Sequence, residues 1–188
     1  AVKTIAPYLD AATVDFKGGA DPEFYRTFSA VPSVEPIFQA LKEMKRNDIH
    51  VEITNLVVPK SGDSIEKVQQ LASWIRESLG KDTPFHLLRF HPDFQLTTIP
   101  STSIQVLEKT YVTAKDAGLN YVYIGNVAGH PCENTYCPNC NEMLIKRYNF
   151  EITKWNLTKD MRCPVCGHEI PIKGKLHPGG YSHPYALF

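Results

Sequence analysis

The stretch IHVEITNLVVPKSGDSIEKVQQLASWIRESLG, residues 49–80, decides the fold class. Its first part places β-branched side chains at Ile49, Val51 and Ile53 and finishes in the apolar run Leu56, Val57, Val58 before Pro59 and Gly62. A continuous apolar finish of this kind is expected of a strand buried in a parallel sheet. The period then changes, and Ile65, Val68, Leu71, Ala72, Ile75 and Leu79 line one face at helical spacing. Asp63 with Glu66 approximates a capping box at the start of that helix, and Gly80 terminates it. A buried strand running into an amphipathic helix is the repeating part of a βαβ unit.

The same alternation recurs on both sides. AATVDF at 11–16 reads as a first strand, broken by Lys17, Gly18 and Gly19. Ser33 can cap a helix carrying Ile37, Leu41 and Met44, with Lys42, Lys45 and Arg46 toward the end where cations favour the helix dipole. FHLLRF at 85–90 predicts a third strand, the stretch from about 101 to 117 a third helix closed by Gly118, and YVYIG at 121–125 a fourth strand. The order βαβαβαβ implies an α/β protein with right-handed crossovers, a partial (β/α) barrel of about four parallel strands. Ligands of such sheets bind beyond the carboxyl ends of the strands, which singles out Asp15 and Lys17, Thr54 and Asn55, His91, and Asn126.

Composition narrows the partners. Lys plus Arg and Asp plus Glu both total 20, so the net charge is zero and there is no basic field to hold nucleic acid or an anionic membrane. No apolar run approaches the roughly 18 residues of a membrane span, and the N-terminus lacks the pattern of a signal peptide. A cytoplasmic protein is the expectation. A chain of 188 residues allows one ordinary core and a small module. The divisions expected are the partial barrel at 1–130, a cysteine-bearing module at 131–175 and an unassigned tail at 176–188.

Four of the five cysteines form two C-x-x-C pairs, Cys137-Pro-Asn-Cys140 and Cys163-Pro-Val-Cys166, with 22 residues between them. Two tight turns, each presenting two thiolates, make the tetrahedral four-sulfur site of a structural zinc ribbon. Four thiolates leave no open coordination position, so the expected zinc is structural. A competing reading takes Cys132, Cys137 and Cys140 as C-x4-C-x2-C, the spacing of a plant-type two-iron ferredoxin, and leaves Cys166 unexplained. Under the zinc reading Cys132 is a spare thiol.

The segments VDFKGG (14–19), VEITNLVVP (51–59), FHLLRFHPDF (85–94) and YVYIGNVAGHPCENTYCPNC (121–140) together resemble the radical S-adenosylmethionine enzyme of the AmmeMemoRadiSam system, a relative of pyruvate formate-lyase activating enzymes. The resemblance implies that Asp15 and Lys17, matching a D-x-K motif after the fourth barrel strand, contact the amino-acid end of S-adenosylmethionine. It implies also that His91, in the pattern L-L-x-F-H, approaches the adenosine. Thr54 stands where activating enzymes have an arginine. The resemblance further implies a [4Fe-4S] cluster on a C-x3-C-x2-C motif and a glycine-rich G-G-E-type motif, and neither occurs in this sequence. The chain therefore reads as the C-terminal part of such an enzyme, completed by an N-terminal half that holds the cluster. Memo-like and AMMECR1-like proteins are implied as functional neighbours. An unpaired first strand and an exposed apolar barrel interior would drive pairing with that half, or self-association. The alternative from another class is a non-catalytic zinc-ribbon module for protein interaction.

Overall fold

Period-2 and period-3.6 patterning resolves into strands and helices close to the expected positions in the computed structural model, which describes residues 1–174. The tail expected at 176–188 lies outside the described residues. In chain order the elements are α1 (Val2–Ile5), β1 (Ala11–Lys17), α2 (Pro22–Phe28), α3 (Glu35–Arg46), β2 (His50–Val57), α4 (Ile65–Ser78), β3 (Phe85–Arg89), α5 (Ile104–Asp116) and β4 (Val122–Gly125). Three short antiparallel strands follow: β5 (Thr135–Tyr136), β6 (Met143–Tyr148) and β7 (Glu151–Trp155). The residues divide into two compact units, Ala1–Asn126 and a second beginning at Val127.

The first unit is the expected α/β sheet. Strands β1 to β4 pair in sequence order and all in parallel, with Asp15 opposite Thr54, Thr54 opposite His86, and His86 opposite Tyr123. One face is buried and, apart from Asn55, apolar: Phe16, Val51, Ile53, Val57, Phe85, Leu87, Val122 and Ile124. Leu41 of α3, Val68, Leu71 and Ile75 of α4, and Leu107 of α5 are buried in the same core. Phe38 of α3 links sheet to helices, its ring centroid 5.2 Å from Phe16 and 4.5 Å from Trp74 of α4.

Helix starts follow side-chain capping, with two shifts from expectation. Ser64, not Asp63, caps α4, its hydroxyl accepting from the Lys67 N–H at 3.3 Å. Asp63 stands one residue too early to reach that donor. Ser33 accepts from the Glu35 N–H at 3.2 Å, but Val34 occupies the cap position of α3. Gly80 ends α4 as expected, at φ +107°, with its N–H on the Ile75 carbonyl. The seven-residue helix α2, capped by Asp21 and opened by Pro22, is too short to show a period and was absent from the sequence reading.

The opposite face of the sheet corrects one expectation. An exposed apolar barrel interior was foreseen, yet this partly exposed face carries Thr13, Asp15 and Lys17 on β1, His50, Glu52 and Thr54 on β2, and His86 on β3. Its residues alternate with the buried ones along each strand, and the half-buried Leu56, Leu88 and Tyr123 share it with the polar groups, so the face is mixed rather than apolar. Among the described residues no helix is long and apolar enough to cross a membrane.

Candidate functional site

In the second unit the two cysteine turns are built alike. In the first, the Cys137 carbonyl accepts from the Asn141 N–H at 2.9 Å, and the Cys137 N–H donates to the Glu142 carbonyl at 2.8 Å. In the second, the Cys163 carbonyl accepts from Gly167 at 2.9 Å and its N–H donates to His168 at 2.9 Å. The residue after each pair is left-handed, Asn141 at φ +61° and Gly167 at φ +72°. Asn and Gly are the residues that tolerate this conformation at least cost.

The turns bring the four thiols together, with all Sγ atoms within 4.8 Å of one another. Cys137 Sγ lies 3.5 Å from Cys166 Sγ and Cys140 Sγ 3.6 Å from Cys163 Sγ, far beyond any disulfide bond. Zinc–sulfur bonds of about 2.3 Å in a tetrahedron place sulfurs about 3.8 Å apart, so the cradle fits a zinc ion. Cys137 and Cys163 are buried while Cys140 and Cys166 reach solvent. Without metal the thiols are unequal. The Asn139 amide and the His168 backbone lower Cys166 to about 6. At Cys140 the Glu142 backbone pulls downward, but desolvation and the neighbouring thiols outweigh it and push it up to about 12. Cys132 is half-buried and lies outside the group, while Cys166 lies within it, which favours the ribbon over the ferredoxin spacing.

The first unit gathers a second set of candidates at the carboxyl end of β1. The Lys17 ammonium pairs with one Asp15 carboxylate oxygen and the Thr54 hydroxyl donates to the other. Thr54 thus serves Asp15 from the adjacent strand. Behind this group the chain makes a left-handed turn through Gly18 (φ +58°), Gly19 (φ +66°) and Ala20 (φ +60°). A Cβ on Gly18 would stand 2.8 Å from Phe24 Cγ and 3.2 Å from Gly62 Cα, so the chain is glycine there for want of space. Asn55 is fully buried on the helix-covered face, and its Oδ1 accepts from the Gly19 N–H at 2.8 Å. That bond fixes the amide's orientation and leaves Nδ2 buried with no partner.

The other candidates are not hydrogen-bonded to this group. His91 is exposed two residues beyond β3 and has no hydrogen bond to Asp15, Lys17 or Thr54. The Asn126 amide donates to the Arg89 carbonyl at 3.1 Å and so fastens the end of β3. Sequence reasoning missed a polar group lower on the open face. Glu52 Oε2 lies 2.9 Å from His86 Nε2 and Oε1 lies 3.3 Å from His50 Nε2. The hydrogen bond from His86, ahead of that from His50, holds the Glu52 carboxyl down to about 2 despite its partial burial. The signal was present in the alternation His50, Glu52, Thr54, overlooked because the intervening residues read as a strand buried on both faces.

No family model matches the chain. The chain is 45% identical over 165 residues to an uncharacterized protein of Methanocaldococcus jannaschii, covering 87% of this chain and 49% of that protein. It shares its fold with a domain of pyruvate-formate lyase-activating enzyme from Bacteroides vulgatus, at TM-score 0.57 and 18% identity over 66% of this chain and 73% of that one. A radical SAM methyltransferase from Sphaerobacter thermophilus matches at TM-score 0.53 and 12% identity, covering 70% and 40% of the two chains. The chain thus shares the fold of these two proteins over about two thirds of its length and spans about half the length of the curated relative it matches.

Proposed function

We propose that this chain is the cofactor-binding and zinc-ribbon part of a radical S-adenosylmethionine enzyme of the AmmeMemoRadiSam type. The observation that carries the reading is the Asp15–Lys17 pair at the carboxyl end of β1, braced by Thr54, in a sheet whose fold is that of an activating-enzyme domain. An ammonium and a carboxylate side by side suit the zwitterionic head of S-adenosylmethionine. His91 would approach the adenosine from the loop after β3. The four-cysteine centre would hold zinc to fold the ribbon.

The chemistry would come from a [4Fe-4S] cluster, which when bound would supply the one electron that splits S-adenosylmethionine into methionine and a 5′-deoxyadenosyl radical for hydrogen abstraction. Four of the five cysteines fill the ribbon site, and Cys132 alone cannot hold a cluster. The cluster would therefore sit on an N-terminal half or partner, docked beside β1, whose outer edge has no strand paired to it among the described residues. Memo-like and AMMECR1-like proteins would act in the same system. A non-catalytic interaction module is the second reading, favoured by Tyr148, Phe150 and Ile152, exposed around the β6–β7 hairpin.

Equilibrium dialysis with S-adenosylmethionine tests the first reading on protein purified anaerobically with the cluster-bearing half. Asp15→Asn is expected to weaken binding roughly tenfold or more, equivalent to about 1.4 kcal/mol. Binding that ignores Asp15→Asn, or zinc with no iron and no cofactor affinity in that complex, would leave the interaction module standing.

A further inference from the structure

Parallel sheets ordinarily have both faces covered by apolar packing. The open face of this one carries ionisable side chains, and those at Glu52 are organised beyond what a solvated surface requires. The His50–Glu52 pair links neighbours on one face of one strand and has the bland reading of a surface ion pair. His86 is different. It comes from the next strand, its Nε2 is 2.9 Å from the Glu52 carboxylate, and its ring stacks on Tyr123 with centroids 4.9 Å apart and planes at 22°. The ring is thus held both at one nitrogen and across its face.

Register adds a second observation. Asp15, Thr54, His86 and Tyr123 occupy one row across four successive strands. Strands lie about 4.8 Å apart, so His86 stands roughly 10 Å along the face from Asp15, close enough for one small molecule to span the two. With Nε2–H given to a carboxylate, neutral imidazole keeps its lone pair on Nδ1, the state of an oriented base.

We propose that His86 is a proton-accepting residue, positioned by Glu52, for a substrate lodged against this face that carries a hydroxyl or ammonium group. The inference rests on the proposed function, since it takes the open face as a wall of the reaction chamber. The step moves one proton: an O–H or N–H bond of the substrate breaks, an Nδ1–H bond forms, and the electron pair stays on the substrate heteroatom. Glu52 faces the resulting imidazolium and stabilises it. Around Glu52 stand His50 from its own strand, His86 from β3 and the uncharged Thr13 opposite it on β1, while Asp15 and Lys17 are engaged with one another. The substrate class this selects is an alcohol or amine, in preference to a hydrocarbon or thioether.

The test uses the zinc-loaded full chain and needs no substrate. Nitrogen-15 NMR is expected to find neutral His86 as the Nε2–H tautomer. Site-resolved acylation by diethyl pyrocarbonate is expected to modify His86 roughly threefold faster than the exposed His91. Glu52→Gln should mix the tautomers and drop that rate below the His91 rate, and Glu52→Asp should restore part of it. A predominant Nδ1–H tautomer in the unsubstituted protein, or a His86 rate unaffected by Glu52→Gln in a folded variant, overturns the proposal. S-adenosylmethionine affinity of the cluster-loaded complex, measured on the same variants, should stay within about twofold. Absence of that affinity throughout would sink the cofactor reading while the tautomer and acylation results stayed legible.

Discussion

The sheet unit and the ribbon unit of this chain are held together by different forces. Residues 1–126 bury whole side chains on one face of a sheet, Phe16, Ile53, Phe85, Leu87 and Leu107 among them with no exposed surface at all. The ribbon buries Leu144, Ile145 and Ile170 and little else apolar, while Tyr148, Phe150 and Ile152 stand exposed. So small an apolar core cannot offset the entropy of ordering the chain, and a metal ion held by the two matched cysteine turns would supply what is missing. The comparison teaches where each unit is fragile: the first to lost volume, the second to lost metal.

The largest effect expected is on the ribbon. Structural zinc contributes on the order of 10–16 kcal/mol in small metal-folded domains, so a strong chelator, or Cys163→Ser, should unfold the ribbon and leave the sheet folded. Amide exchange would show Leu144 and Ile145 losing protection while Ile53 and Leu87 keep theirs. A ribbon that stays protected without zinc would break the comparison. Next in size, Phe85→Ala should cost the sheet about 3–5 kcal/mol in denaturant unfolding, with zinc content unchanged at one ion per chain.

Asn55→Ala sharpens the picture inside the first unit, because it strips a buried acceptor from the Gly19 N–H beneath the Asp15–Lys17 turn. A loss of about 1–3 kcal/mol is expected in chemical denaturation, eased by removal of the orphaned Nδ2. The smallest effect belongs to Glu52. Its carboxyl is lowered from 4.5 to about 2, so its contribution to stability is present above pH 4.5 and fades as the pH falls toward 2. The side chain is 37% exposed, and solvent screening brings the expected loss in Glu52→Gln at neutral pH to roughly 1 kcal/mol or less. Thermal melts of the two proteins should converge near pH 2; a constant gap down to that pH would assign the loss to packing.

Much of the architecture was legible in residue periods. Ile53, Val57, Leu71, Ile75 and Leu87 announce their elements because burial on one face repeats at 2 along a strand and 3.6 around a helix. Helix starts were legible only to within a residue, as Ser64 in place of Asp63 shows, since a cap depends on which hydroxyl meets the third N–H. The short α2 and the two-residue β5 had too few residues to display any period. Among the candidate residues, the four cysteines were legible because two turns of fixed length bring the sulfurs together whatever surrounds them.

By itself, the sequence determined the four-stranded parallel α/β sheet, the two-knuckle cysteine site and the placing of Asp15 and Lys17 at a strand end. Those features depend on spacing within a few residues, and spacing is written in the chain. Tertiary structure alone decided that Thr54 reaches across to Asp15, that Asn55 turns away to lock Gly19, and that Glu52 meets His86 from 34 positions away. Cross-strand register brings such residues together. Register is set by how the helices pack on the opposite face, a sum over many side chains that no single segment contains.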